Sequence, residues 1–173
     1  LRKDASGQPV YFLTSIVDIT AQKKFEKELI QTKEDFKILF DDAPLGYQSL
    51  DERGHILIVN KAWLDIMGYQ RDDVIGKWFG DFLADGQIEI FKSGFEKFIS
   101  HGQTCSTLKL VTKHKQIITV NFTGKIAYNT DGSFKQTHCI LENTTERMEF
   151  QKRLQQNEER LRRSQQIAKA GTW

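Results

Sequence analysis

The sequence predicts an α+β fold in which a five-stranded antiparallel sheet carries short helices on one face and is flanked by N- and C-terminal linker helices. Three observations support this prediction. Apolar, β-branched stretches are arranged as two strands, a group of short helical segments and three longer strands. A charged helical stretch precedes this block and another follows it. One sequence pattern also recurs at a constant distance, as expected when the block is one unit of a repeat.

The recurring pattern joins the end of a strand to the beginning of a charged helix. It places Asp18 and Asn143 125 residues apart, and Phe25 and Phe150 by the same distance. These are a helix start and an apolar helix position, where structure constrains sequence. The repeat predicts five segments: the last strand of a preceding module at 1–20, a coiled-coil-like linker helix at 21–41, a complete module at 42–145, a C-terminal linker helix at 146–168 and the start of a following module at 169–173.

Composition and charge indicate a soluble domain. Apolar residues make up 39% of the 173 residues and charged ones 28%, which is typical of a globular domain with charged helices. The net charge of +2 gives no indication of nucleic-acid binding. No apolar run approaches the roughly 20 residues that span a bilayer, so we expect no membrane contact in this part of the protein and a cytoplasmic location. Cys105 and Cys139 are too few for a disulfide scaffold and are expected to be reduced, partly buried thiols.

The first linker helix carries an apolar stripe with the spacing of a coiled coil. Positions 25, 29, 32, 36 and 39 follow one another at intervals of four and three residues, and charged residues flank them. The second helix repeats the stripe, which favours a parallel homodimer over an amphipathic helix that lies on its own domain. The predicted dimer seam consists of Phe25, Leu29, Phe36, Phe150, Leu154 and Leu161.

The complete module is an ordered set of strands and helices. The nearly all-apolar strand at 55–60 is expected to be buried on both faces. Asn143 and Glu146 are expected to form a capping box at the start of the C-terminal helix, with Asn143 as the N-cap. We predict strands at 45–50, 55–60, 104–112, 116–128 and 134–142, and helical segments at 61–67, 71–75, 77–83 and 87–99.

The ordered elements contain a set of residues at fixed places: Gly46, Asp51–Gly54, Ile56–Val59, Asn60, Ala62, Trp63, Met67, Gly68, Tyr69, Asp73, Val74, Ile75, Gly76, Asp131 and Gly132, together with the exit sequence Asp18-Ile19-Thr20. This order of elements, with these residues in it, resembles the PAS domain of bacterial sensor histidine kinases and diguanylate cyclases. The resemblance implies a signal junction in which a D-x-T exit motif couples the sheet to the next helix, here at Asp18 and Thr20 and again at Asn143 and Thr145. Asn143 stands where the family has aspartate, which implies a hydrogen-bonded junction without that charge.

PAS domains can hold haem, flavin, metabolites or no ligand at all. Few charges fall on the inward positions of this module, so a small apolar or aromatic ligand fits better than an anion. An aromatic stripe at helical spacing is more often plain core, and a filled core is the alternative. The candidate cavity residues are Asn60, Trp63, Phe79, Phe82, Phe91, Phe95, Phe98, Leu110, Phe122 and His138.

We expect neither haem nor a photochemical flavin, and no catalysis, while the sequence leaves any other cofactor unknown. A photochemical flavin would need a cysteine between Gly76 and Leu83, where none occurs. A haem would need a histidine on the long helix over the sheet, whereas His101 lies at the end of that helix and is expected to face solvent or to cap it. No two histidines have metal-ligand spacing with a cysteine or carboxylate. The order of a catalytic triad, a nucleophile elbow and a phosphate-binding glycine loop are also absent from the sequence.

These features predict a sensory or signal-relay module of a multidomain bacterial signal-transduction protein, most simply a histidine kinase, that is not itself an enzyme. A conformational change would pass through the exit junction to the dimeric linker helix. Two alternatives stay open: a ligand-free dimerisation or spacer module, and the PAS module of a diguanylate cyclase-type protein. A roomy cavity would favour a sensor, and a filled core would favour a spacer.

Overall fold

The structure is a computed structural model that describes residues 2–11 and 17–170. The chain forms two compact units, Leu1–Leu39 and Phe40–Trp173. Residues 12–16 of the strand predicted within 1–20, and residues 171–173 of the module start predicted at 169–173, lie outside the described residues. No helix in the part of the chain that the structure describes is both long and apolar enough to cross a membrane.

The first unit contains a short hairpin and most of a long helix. Strands β1 (Arg2–Lys3) and β2 (Pro9–Tyr11) pair antiparallel. Helix α1 (Thr20–Asp41) begins where the backbone N–H of Thr20 donates to Oδ1 of Asp18 at 2.9 Å. None of the side chains of α1 is buried.

The second unit confirms the predicted α+β architecture. Its five strands form one antiparallel sheet in the order β4-β3-β7-β6-β5, so β4 and β5 are the edges. In chain order its elements are β3 (Gly46–Leu50), β4 (Ile56–Val59), α2 (Lys61–Met67), α3 (Arg71–Val74), a 3-10 helix (Phe79–Phe82), α4 (Ile88–His101), β5 (Gln103–Val111), β6 (Ile117–Tyr128), β7 (Phe134–Asn143) and α5 (Thr145–Ala170).

Alternation along the strands produces the core. On β6 the buried side chains include Val120 and Phe122, while Asn121 between them points to the other face. Phe91 of α4 and Trp63 of α2 are buried against this inner face. Burial of apolar surface on this scale is the main favourable contribution to folding.

The prediction that the second strand is buried on both faces is wrong. Ile56 and Val59 are fully buried, but Leu57 and Ile58 are each 41% exposed. The reason is the position of β4 at the edge of the sheet, with β3 as its one neighbouring strand. A register shift in its pairing with β3 also interrupts the regular alternation.

The β1–β2 hairpin has the same local geometry as the hairpin between β6 and β7, 125 residues later. Asp4 N donates to Gln8 O in the first turn, and Asn129 N donates to Ser133 O in the second, both at 2.9 Å. Both hairpins also show a register shift, and the two shifts occupy matching positions. The sequence repeat is therefore also a repeat of backbone hydrogen bonds.

Candidate functional site

A cavity of about 120 Å³ lies between α4 and the inner face of the sheet. Five of the predicted cavity residues line it. These aromatic side chains come from the 3-10 helix, from α4 and from β6, and successive rings along α4 pack on one another at centroid distances of 5.3 and 6.3 Å. The five residues are Phe79, Phe91, Phe95, Phe98 and Phe122.

The other five predicted residues do not line this cavity. Trp63, Phe82 and Leu110 are buried core side chains, and the Trp63 and Phe82 rings pack edge to face at 5.8 Å. Asn60 is fully buried, and its side-chain amide forms hydrogen bonds with backbone groups. His138 is exposed, because it neighbours the inward-facing Cys139 in β7 and so points to the opposite face.

The outward-facing His138 forms a hydrogen bond with the hydroxyl of Tyr47. Burial raises the pKa of Tyr47, and the neighbouring Cys139 thiol raises it further. The His138 side chain therefore lies on the outer face of the sheet, and the prediction that it lines the cavity is wrong.

Sequence reasoning missed most of the wall contributed by the strands and two positions on α4. The missed lining residues are Gln48, Leu50, Ile90, Gly94, Thr104, Ser106, Leu108 and Cys139. Thr104, Ser106 and Leu108 alternate in phase along β5, so strict period-2 alternation would have identified them. No such pattern identifies Gln48 and Cys139. They lie side by side because β3 pairs with β7, and the sequence does not indicate which strands pair.

The strand register brings four lining or supporting residues into one row across the inner face. Gln48 pairs with Cys139, Cys139 pairs with Gly124, and Gly124 pairs with Thr104. At Gly124 an added Cβ would lie 2.5 Å from the Cys139 sulfur, so the absence of a side chain there is what makes room for the thiol. Burial raises the pKa of the Cys139 thiol to about 11, so this wall of the cavity is uncharged at neutral pH.

The cavity reaches the surface beside α4. Ile90 is 55% exposed, and a Cβ placed on Gly94 would have no atom within 4 Å. Thr104 and Ser106 on the facing edge strand are half-buried. A small molecule could therefore enter between α4 and β5.

His101, the histidine that the sequence places nearest to a haem-ligating position, lies at the end of α4. His101 is exposed, and its Nδ1 donates to the Lys97 carbonyl at 2.7 Å within α4, as expected for a histidine at a helix end. The described residues contain no group of three His, Cys, Asp or Glu side chains suited to a metal ion. Of the two thiols, Cys139 is buried as expected, whereas Cys105 is exposed on the edge strand.

The exit junction is a chain of hydrogen bonds that ties the start of α5 to two strands. The Thr145 hydroxyl donates to Asn143 Oδ1 at 2.7 Å and accepts from the backbone N–H of Thr119 in β6 at 2.8 Å. Thr144 N donates to the Thr119 carbonyl at 2.9 Å. The first turn of α5 is therefore held by both β6 and β7.

The predicted capping box needs a correction. The helix begins at Thr145, so the N-cap position falls on Thr144, while Asn143 is the last residue of β7. Asn143 is still paired with Val120 in the sheet, and its side chain instead accepts from Thr145 N at 3.1 Å. Glu146 lies in the first turn of the helix.

The first copy of the exit motif has the same local bond. Thr20 N donates to Asp18 Oδ1, as Thr145 N donates to Asn143 Oδ1. The Thr20 hydroxyl and its backbone N–H lower the pKa of Asp18. Asparagine and aspartate thus accept the same hydrogen bond at equivalent positions.

All six residues of the predicted dimer seam are exposed. Their exposed fractions range from 49% for Leu154 to 71% for Phe25. Large apolar side chains at this spacing and exposure are typical of a helix that has a partner helix.

Comparison with known proteins agrees with the geometry. The family model described as the PAS domain matches residues 44–146. The chain belongs to the PAS domain family. Comparison with curated proteins gave no match.

Several solved PAS domains share this fold. The PAS domain of an HTR-like protein from Haloarcula marismortui has a TM-score of 0.62 at 20% identity, over 70% of this chain and 98% of that one. A PAS domain from Colwellia psychrerythraea has a TM-score of 0.60 at 17% identity, over 68% and 98%. A PAS domain from a two-component sensor histidine kinase has a TM-score of 0.57 at 12% identity, over 67% and 98%. At these identities the likeness shows the fold alone.

Proposed function

We propose that this PAS domain is a sensory or signal-relay module that passes a conformational change from its cavity through the exit junction to a dimeric α5. One observation carries the proposal. The two strands that hold the first turn of α5 also line the cavity. On β7, Cys139 faces the cavity and Asn143 is four residues further on, a distance of about 13 Å. On β6, Phe122 faces the cavity and Thr119 lies three residues before it.

The Thr145 hydroxyl is the group through which a change would be passed on. It bonds to β6 on one side and to the last residue of β7 on the other. A ligand that moved one strand relative to the other would strain or break one of these bonds. The first turn of α5 would then have two arrangements, whose populations a ligand could shift.

The wider setting of the module follows from the repeat. The matching hairpins and exit bonds support a preceding PAS copy upstream of α1, in a tandem array. We propose a sensor histidine kinase as the parent protein, with this module in the cytoplasm. The solved PAS domain from a two-component sensor histidine kinase is in keeping with that choice of parent. A small cavity, not a filled core, favours a sensor over a spacer.

Replacing Thr145 by valine is expected to uncouple the junction while preserving the fold. Valine keeps the shape of threonine but leaves Thr119 N–H and Asn143 Oδ1 without their shared partner, at a cost of about 1–2 kcal/mol. Amide exchange of Met148, which bonds to the Thr144 carbonyl, should accelerate roughly tenfold. The signal output of the parent protein, measured as autophosphorylation if it is a kinase, should change.

The matched control is Thr145→Ser, which keeps the hydroxyl and should behave as wild type. Asn143→Asp keeps the acceptor and adds a charge at the helix start, so it should alter output without unfolding the domain. If the Thr145→Val protein shows the wild-type rate of Met148 amide exchange and the wild-type signal output, the junction does not transmit the signal.

The dimer proposal rests on the exposed seam of the linker helices. Replacing Phe25 and Leu29 together by glutamate is expected to convert a dimer into a monomer, because like charges would face each other across the seam. Light scattering coupled to size exclusion measures the mass directly. The control is Lys27→Gln with Gln31→Glu. This pair of substitutions lowers the net charge by the same amount as the seam substitutions, but on the outer face of the helix. A dimer that survives the seam substitutions would place the interface elsewhere.

A further inference from the structure

The cavity contains a polar group that the protein orients but does not satisfy. Gln48 is 2% exposed and lines the cavity. The indole Nε1 of Trp63 donates to Gln48 Oε1 at 2.9 Å. An indole N–H can only donate, so this bond fixes the orientation of the amide and leaves Nε2 as its free end.

The Nε2 group of Gln48 has no hydrogen-bond partner among the described residues. The side-chain polar atom that is fully enclosed without a partner in this part of the chain is Ser49 Oγ, on the other face of β3. Gln48 Nε2 therefore still reaches open space, and the cavity is the open space that Gln48 lines. A ligand acceptor placed against this donor would form the hydrogen bond that the protein itself leaves unmade.

The rest of the cavity wall defines the other properties of a ligand. No charged side chain is among the described lining residues, so a charged ligand would lose its hydration without compensation. The wall is mainly aromatic and aliphatic, and Cys139 is a neutral thiol. The volume of about 120 Å³ is somewhat below that of an engineered cavity of about 150 Å³ that binds benzene.

We propose that the cavity takes a neutral, apolar molecule about the size of one aromatic ring that bears a hydrogen-bond acceptor, and that Gln48 Nε2 donates to this acceptor. The acceptor end lies at β3, beside the Gln48–Trp63 pair, and the apolar end lies toward Phe95 and the opening at Gly94. The inference rests on the proposed function, since it names the class of molecule that would move the strands. Gln48 is the residue that selects for the acceptor.

A pair of compounds of nearly equal shape tests this directly in the wild-type chain. Benzonitrile carries a nitrile acceptor, whereas ethynylbenzene has a C–H group in its place. We expect benzonitrile to bind about three- to tenfold more tightly, the usual effect of one neutral hydrogen bond. In an NMR titration the Gln48 side-chain amide should shift with benzonitrile and much less with ethynylbenzene. The Gln87 amide, whose Oε1 is likewise engaged by a donor but which does not line the cavity, is the internal control.

Two variants separate the donor from the cavity itself. Gln48→Met should bring the affinities of the two compounds to the same value, with folding checked by thermal unfolding. Gly94→Leu should narrow the opening and weaken both compounds alike, because Gly94 has room for a side chain. Equal binding of both compounds to the wild type, or binding of neither, would overturn the inference. Either result would leave the junction unaffected, because the Thr145 variants test it through helix exchange and parent output.

Discussion

Replacing Asn60 by alanine is expected to lower the free energy of unfolding of the PAS domain by about 3–5 kcal/mol. Asn60 is fully buried, and its amide makes four hydrogen bonds. Oδ1 accepts from the backbone N–H groups of Tyr47 and Trp63 at 2.8 and 3.0 Å. Nδ2 donates to the carbonyls of Phe40 and Leu45 at 3.1 and 2.9 Å.

The size of the effect comes from the number of elements that meet at this side chain. Asn60 caps α2, and it ties the start of β3 and the end of α1 to the end of β4. Alanine would remove the cap, worth about 0.5–2 kcal/mol, and leave further buried backbone groups unpaired. Denaturant unfolding measures the loss.

A matched exposed asparagine provides the control. Asn157 lies on the exposed surface of α5, so Asn157→Ala should change stability by less than about 0.5 kcal/mol. If Asn60→Ala lowers the free energy of unfolding by less than about 1 kcal/mol, water takes over the hydrogen bonds of the amide. The structural role assigned to Asn60 would then be wrong.

Replacing Gly124 by alanine is expected to destabilise the domain by about 2–3 kcal/mol. The added Cβ would lie 2.5 Å from the Cys139 sulfur, 3.1 Å from the Phe98 ring and 3.2 Å from the His138 carbonyl. The backbone oxygen belongs to the paired strand β7 and cannot move far, so the thiol and the ring must yield. Chemical denaturation and the melting temperature report the change.

A second substitution should reverse much of this loss. Cys139→Ala removes the sulfur that the new methyl group would meet, so the double variant should be more stable than the two single effects predict by about 1 kcal/mol or more. Gly94→Ala is the control: it adds a methyl group where nothing lies within 4 Å, in a helix, and should stabilise by up to about 1 kcal/mol. Strict additivity in the double variant would show that the strain lies in the backbone and not at the sulfur.

The sequence by itself determined the local elements and their order. The helix predicted at 61–67 has those bounds in the structure, and the strand predicted at 134–142 ends one residue later, at Asn143. Residues near each other in sequence decide such features, through alternation, turn chemistry and helix ends. The glycine that closes α4, Gly102, shows this: it adopts a φ of 78°, which a glycine accepts without strain. The hydrogen-bonded junction at Asn143 and Thr145 was implied by the resemblance to the PAS domain. The bond from the Thr119 N–H to the Thr145 hydroxyl joins residues 26 positions apart, and local sequence did not indicate it.

Only the tertiary structure decided which side chains share the cavity and which strand lies at the edge. The row from Gln48 to Thr104 is set by pairing between strands that are distant in the chain, and a shift of one residue would turn each side chain to the other face. Leu57 and Ile58 are exposed because the strand order places β4 at an edge. The sequence could not predict this, since an apolar stretch has the same pattern in an edge strand as in a central strand. The free donor of Gln48 likewise exists only because Trp63, fifteen residues away, engages the other end of the amide.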